Sequence, residues 1–305
     1  MGDNKTKALH YFIKEATVGE LDYIIDDISA ILGNKDFLNE PEIIEALREY
    51  QETHLNHTTL PNGTKVVVSE KGRRETEVAK QPEVEGEGEG EAEVEPVETN
   101  PAEFTYVDEA RNVKFTLNAI SGEIKVVNES EKNADEVVQG FKDSLVESLD
   151  KYISEHYKES TTLGTVSVEG TDQVTAQIEI SCHNLSHKNF WGGEWLSRWT
   201  VTHTIGSSDF EITGSINIVN HYFEQGNIQF KLNKTFDTPT SGTVQDDVSQ
   251  SIVALVNKLE EQYQASLDTL YEDISDNHMK SLRRKLPFTG KNFDWGMQSL
   301  TKILP

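Results

Sequence analysis

Residues 211–236 read EITGSINIVNHYFEQGNIQFKLNKTF. Two extended runs, Glu211–Phe223 and Ile228–Phe236, flank Glu224-Gln225-Gly226-Asn227, a hairpin turn with a glycine where the chain reverses. In the second run Ile228, Phe230, Leu232 and Phe236 share one face, and Gln229, Lys231 and Asn233 share the other. Three more extended runs come before it, Thr165–Val168, Val174–Ser181 and Leu196–Ile205. Hairpin spacing without intervening helices predicts five antiparallel strands with one face covered.

The cover is expected immediately downstream. Thr243 to Leu286 carries Val248, Ile252, Leu255, Val256, Leu259, Tyr263, Leu267, Leu270 and Ile274 along one helical stripe. Roughly forty residues at 1.5 Å each give about 60 Å, well beyond a typical strand. A helix of that length crosses several strands, and its leucines and tyrosines read as core.

Upstream, Val113, Phe115 and Leu117 alternate with polar residues, Ser121-Gly122 turns the chain, and Ile124–Val127 returns. Val137–Tyr157 is helical, with Val138, Phe141, Leu145, Leu149, Tyr152 and Ile153 at spacings of three and four. A short strand, Lys65–Ser69, follows the Asn62-Gly63 turn. The first fifty residues read as short helices. Leu9, Phe12 and Ile13 point inward from the first. Thr17 with Glu20 and Asn39 with Glu42 form capping boxes, Pro41 lies in a first turn, and Gly33 is a stop.

The chain has 305 residues and a formal charge of −25. Eight glutamates and no base fall between Glu83 and Glu98, so Arg73–Ala102 reads as a disordered acidic loop inside the domain. Its bland role is a solvated insertion, since calcium sites need ligands at turn-defined spacing. An anionic body repels phosphate, which argues against nucleic acid as partner. The lone Cys182 suits a reducing compartment. No window approaches the roughly 20 apolar residues of a membrane span.

No Gly-x-Ser-x-Gly, Walker loop or dinucleotide glycine fingerprint occurs, and no nucleophile and base share supporting context, so no enzyme is expected. Cys182-His183 with His187 lacks the second half of any zinc spacing, and packing is the expected role. Neither metal nor cofactor is expected. In His187–Trp199, three tryptophans recur every four residues. Gly192-Gly193 argues for a turn there, so the stretch reads as a rigid aromatic corner with indole N–H groups bonded to backbone.

The end of the chain has the opposite charge. Met279–Pro305 holds six bases, Lys280, Arg283, Arg284, Lys285, Lys291 and Lys302, against Asp294. Such a segment on an acidic protein reads as a surface offered to an acidic partner. Past Pro287, the residues Phe293, Met297, Leu300 and Leu304 share one helical face.

Lys188–Trp191 with Trp195 and Trp199, the hairpin His221–Gln229, and Arg283–Pro287 running on to Asp294-Trp295 resemble the α subunit of the F-actin capping protein. Weaker similarity covers the N-terminal helices, Val67–Gly72, Asp108–Asn118 and Leu149–Tyr157. The resemblance implies an obligate heterodimer with a β subunit and a stalk of three helices. It also implies five strands given to a shared ten-stranded sheet, a long crossing helix, and a C-terminal tentacle that reaches the actin filament's barbed end. CARMIL-type peptides, the ankyrin-repeat inhibitor myotrophin and phosphoinositides are the implied regulators, and the dynactin minifilament an implied location. The place implied is cytoplasm and cytoskeleton.

The family's actin-meeting basic residues carry over onto Lys280 and Arg284. A third falls at Gly290, where this sequence departs, with Lys291 beside it. The expected organisation is therefore α+β, with a helical stalk over residues 1–60 and a mixed β region over 61–242 that contains the acidic insertion at 73–102. The long helix follows over 243–286 and an amphipathic tentacle over 287–305. Two other classes fit the residues: a non-capping scaffold subunit in an actin-related-protein complex, and an adaptor whose basic tail binds phosphoinositides.

Overall fold

A computed structural model describes residues 3–74, 100–129, 135–158, 160–224, 228–244 and 247–273. Three helices open the chain: α1 (Asp3–Lys14), α2 (Leu21–Leu32) and α3 (Pro41–Thr53). Leu9 and Ile13 of α1, Ile28 of α2 and Ile43 and Leu47 of α3 close around Phe37, with Ala119 against them. Each such side chain withdrawn from water contributes about 1.5–3 kcal/mol. Gly33 ends α2 at φ +77°, as its position after the apolar stripe predicts.

Two details differ from the sequence expectation. Phe12 is 54% exposed, because the buried stripe of α1 runs through Leu9 and Ile13 instead. The two capping boxes do not form either. Helix α2 starts after Glu20 and α3 after Glu40, neither with a side-chain cap. Thr17 Oγ1 instead donates to the Glu20 carboxylate at 2.9 Å, for a reason that emerges at the sheet.

Strands β1 (His57–Thr59) and β2 (Lys65–Val67) form a hairpin around Gly63, at φ +87°. A four-stranded sheet follows in the order β3 (Arg73–Arg74), β4 (Glu103–Asp108), β5 (Val113–Asn118), β6 (Ile124–Glu129). Its core gathers Leu60, Val66, Val68, Tyr106, Phe115 and Leu117. The expected loop 73–102 is therefore too wide at both ends. Arg73 pairs with Tyr106 and Ala102 is buried, because β4 needs an edge partner and a start. The acidic run itself lies outside the described residues.

Helix α4 (Glu136–His156) begins at Asp135, whose carboxylate accepts from the backbone N–H of Val137 and Val138. It leads into β7 (Thr161–Gly170), β8 (Gln173–Ser186), β9 (Trp191–Thr204), β10 (Asp209–Tyr222) and β11 (Ile228–Thr243). These five form one antiparallel meander in which every strand pairs with its neighbours in sequence.

Register rows fix the two faces. Val166, Ile178, Trp199, Gly214 and Phe236 align across all five strands on one face. Helix α4 packs on that face, with the Phe141 ring stacked on His203 at 5.9 Å and Leu149 closing on Gly164 so tightly that a Cβ would meet it at 2.7 Å. On the other face, Leu196 meets Leu55 and Val67. Helix α4 therefore covers one side, and the segment running from α3 through β2 covers the other.

The last described helix, α5 (Val248–Asp273), starts later than expected. Thr243 closes β11 opposite Asp209, and Asp247 Oδ1 accepts the Gln250 N–H at 2.9 Å as the helix start. Two compact units divide after Val253, and Ile252, Val253, Val256, Leu259 and Leu267 of this helix are buried. No described helix is long and apolar enough to cross a membrane.

Candidate interaction surfaces

The residues predicted to grip a partner, Lys280, Arg283, Arg284, Lys285, Lys291, Phe293, Met297, Leu300 and Leu304, all lie outside the described residues. Three other features of the first unit bear on binding: a sheet edge, an aromatic end, and a buried polar seam.

Strand β11 is one edge of the five-stranded sheet, and β7 is the other. Strand β11 pairs with β10 alone among the described strands, and none of its 16 residues is buried. At about 3.3 Å per residue, it presents roughly 50 Å of backbone N–H and C=O groups on its outer side. Long free edges invite a further strand unless something blunts them. A bulge opposite Thr213 takes up the residues between Phe236 and Thr240, including Pro239, and leaves Ile228–Phe236 as the regular stretch. Lys231 reaches Glu15 at 2.7 Å, and its hydrogen bond and charge hold that carboxyl below its ordinary value. Lys234 lies 5.6 Å from the Phe236 ring. Both lysines of β11 thus have contacts within the chain and are not held out as repelling charges.

The aromatic end sits where β9, β10 and β11 stop. Trp191, Tyr222 and Ile228 occupy one register row, and all three are exposed. The turn that was expected at Gly192-Gly193 falls earlier, at His187–Phe190, and both glycines lie inside β9. They are small because neighbours are close. A Cβ on Gly192 would come within 3.1 Å of Leu185, and one on Gly193 within 3.3 Å of Asn220. Phe190 takes the left-handed region at φ +58° and accepts the Phe223 N–H at 2.9 Å. A spacing of four along a strand also shares a face, so Trp191, Trp195 and Trp199 form a graded row from exposed to fully buried.

The polar seam lies on the face toward α3. Glu194 Oε1 accepts from His54 Nδ1 at 2.7 Å and faces His183 Nε2 at 3.5 Å. His183 Nε2 also lies 3.1 Å from the His54 carbonyl, which makes that nitrogen a donor. Burial alone would raise the Glu194 carboxyl, but hydrogen bonds from the two histidines outweigh it and leave it lowered. His57 stacks on His183 at 4.6 Å, and burial beside that ring pushes it down to about 3. Further along, Glu20 Oε1 faces His221 Nδ1 at 2.8 Å, which explains why Glu20 and Thr17 do not cap α2. Tyr50 donates to the Thr17 carbonyl, Arg198 to that of Thr53, and Ser69 to Glu179. Paired buried groups of this kind hold their elements in register, so the seam fixes how the N-terminal helices sit on the sheet.

None of this seam was predicted. Glu179, Ser181 and His183 do alternate with Ile178, Ile180 and Cys182, which tells the two faces apart, but not that the polar one is buried. The same alternation separates Cys182 from His183. The thiol meets Ser160 and the imidazole meets Glu194, so they do not form a shared metal site. Among the described residues no group of three or more His, Cys, Asp or Glu could hold a metal ion.

A family model for the F-actin capping protein alpha subunit matches residues 9–303. The chain is 27% identical to the F-actin-capping protein subunit alpha of Arabidopsis thaliana over 298 residues, 96% of this chain and 89% of that one. With the Schizosaccharomyces pombe protein of the same name, identity is 24% over 292 residues, covering 95% and 94%. Among solved structures, the homodimeric actin capping protein alpha subunit from Plasmodium berghei matches with a TM-score of 0.69 at 17% identity, over 95% of this chain and 100% of that one.

Proposed function

Because the chain belongs to the family of F-actin capping protein alpha subunits, we propose that it pairs with a capping protein β subunit and that the dimer blocks subunit exchange at actin barbed ends. The match over residues 9–303 carries this reading. It makes the chain a non-enzymatic, actin-binding member of the cytoskeleton. The free edge of β11 supports the pairing, since a strand of a partner's sheet completes its ladder.

In this reading the basic residues Lys280, Arg283, Arg284, Lys285 and Lys291 attract the acidic filament end and raise the on-rate. Phe293, Met297, Leu300 and Leu304 then enter an apolar cleft and slow release. Elongation of actin from seeded barbed ends, measured with the chain co-expressed with a β subunit, tests the proposal. Arrest by nanomolar dimer is expected. Unimpeded growth favours the non-capping scaffold.

The same free edge admits a second copy of this chain, the assembly named for the Plasmodium berghei protein. Light scattering on the chain expressed alone distinguishes a homodimer from a monomer that waits for its β partner.

A further inference from the structure

A cavity of the first unit lies apart from the edge strand β11. It holds about 440 Å³ between α1, α3, the turn from β2 to β3, and strands β8 and β9. Its charges are layered. The deep carboxylates are those of Glu52 and Glu179, whose side chains are 6% and 8% exposed. Both are already engaged, Glu52 by Arg48 and by the Tyr106 hydroxyl at 3.0 Å, and Glu179 by Ser69.

The bases stand nearer the mouth. Arg73 and Arg198 are 36% and 30% exposed, and Lys14 is 45% exposed. Lys71 is exposed and makes no ion pair among the described residues. Arg73 contacts Glu52 only through Nη1, at 3.3 Å. Arg198 uses Nε toward Glu179 and Nη2 toward the Thr53 carbonyl. Each guanidinium therefore keeps one NH₂ group without a hydrogen bond among the described residues. Two acids share the mouth: Glu49, paired with Lys14 at 2.9 Å, and Glu70. Base exceeds acid there, on a chain whose net charge is −25.

We propose that this cavity binds a small, multiply phosphorylated molecule. Its volume falls within the usual range for a small-ligand site, roughly 300–1,000 Å³, but its lining is too charged for an apolar guest. Guanidinium forks match phosphate oxygens in pairs, and Lys71 adds an uncommitted point charge. Four basic side chains from four separate elements suit several phosphate groups better than one. The closed carboxylates at the floor keep the anion at the mouth. Nothing in this site depends on the barbed-end reading.

The test uses the full chain and inositol hexakisphosphate, followed by calorimetric titration. Lys71→Glu is the variant, because an exposed, unpaired lysine leaves the fold intact, which an unchanged melting temperature verifies. Lys35→Glu makes the same charge change at a distant exposed site. The expected result is at least a tenfold loss of affinity in Lys71→Glu and none in Lys35→Glu. Equal loss in both, or loss in neither, overturns the site.

Acylation of surface lysines, read by mass spectrometry, gives a second measurement. The ligand is expected to slow modification of Lys71 at least fivefold. Protection confined to the lysines of residues 280–302 overturns the proposal in favour of the tail. Vesicles carrying phosphatidylinositol 4,5-bisphosphate separate the two sources of this chemistry. If Lys71→Glu also lowers co-sedimentation, a lipid headgroup enters the site. If it lowers only soluble binding, the ligand is a free phosphate ester.

Discussion

Glu194 Oε1 and His54 Nδ1 meet at 2.7 Å across 140 residues of chain, one at the centre of the sheet and the other just past the end of α3. The carboxylate is 2% exposed, and a second histidine, His183, faces the same oxygen. A buried acid with two imidazole partners is a fastener. Glu194→Gln keeps the shape and removes the charge, so unfolding by urea is expected to show a loss of about 1–2 kcal/mol. Glu194→Ala strands both histidines and costs more, about 3 kcal/mol. A midpoint unchanged in both variants excludes the seam as the joint between helices and sheet.

Acid is expected to loosen the same joint. His57 has its folded pKa depressed to about 3, by burial and by the neighbouring His183. The unfolded chain therefore binds a proton at this residue below about pH 6.5 that the folded chain refuses. The stabilisation is complete above that pH and drains away as pH falls toward 3. Urea midpoints taken from pH 7.5 to pH 5 are expected to fall, and His57→Gln to flatten the slope by up to about 1.4 kcal/mol per pH unit. The lowered Glu194 carboxyl acts in the same direction further into acid, being lost as pH drops through its folded value.

Two glycines separate close packing from helix propensity. A Cβ on Gly214 would lie 2.4 Å from the Arg198 carbonyl oxygen and 2.5 Å from the Trp199 ring, which passes over it to reach Phe236 at 5.1 Å. Gly214→Ala is expected to cost about 1–3 kcal/mol by overpacking. Gly140 lies inside α4 with open space around it, so Gly140→Ala is expected to stabilise by about 0.5–1 kcal/mol. Thermal melts of the two variants should move in opposite directions.

Hydrogen exchange tests the free edge. Amides of Ile228–Phe236 that point away from β10 are expected to exchange fast in the chain alone and to slow on addition of a β subunit. Amides of β8 and β9, paired on both sides, should be protected in both samples. Unchanged exchange along β11 places the partner elsewhere.

The tail predictions concern rates. Deleting residues after Pro287 is expected chiefly to raise the off-rate from barbed ends. Reversing Lys280 and Arg284 is expected to lower the on-rate, more at low salt than at high, since screening lengths shrink to about 8 Å at physiological ionic strength. A truncation that leaves the off-rate unchanged, or a salt-independent loss, removes this division of labour.

The strands of the large sheet were legible because alternation and turn residues are local signals. Ile228, Phe230, Leu232 and Phe236 sit on the face that their spacing assigns. Helix α4 was legible for the same reason. Strand β4 was missed because its start abuts the acidic run, and Arg73-Arg74 because two residues carry no period. Thr17 and Glu20 have capping-box spacing, yet their side chains serve a histidine 201 residues away from Glu20. The seam and the charged cavity were invisible for that reason: both depend on residues that only the fold brings together.

The meander of β7 to β11 also sets an order of assembly. Each pairing joins neighbours in sequence, so hairpins can zip one after another as the chain lengthens. The N-terminal helices have no such option. Thr53 waits for Arg198, 145 residues on, and Glu20 waits for His221. At a ribosome adding about 5–20 residues per second, α1 to α3 spend roughly ten seconds or more without the surface that holds them. During synthesis, the first helices made are among the last to be secured.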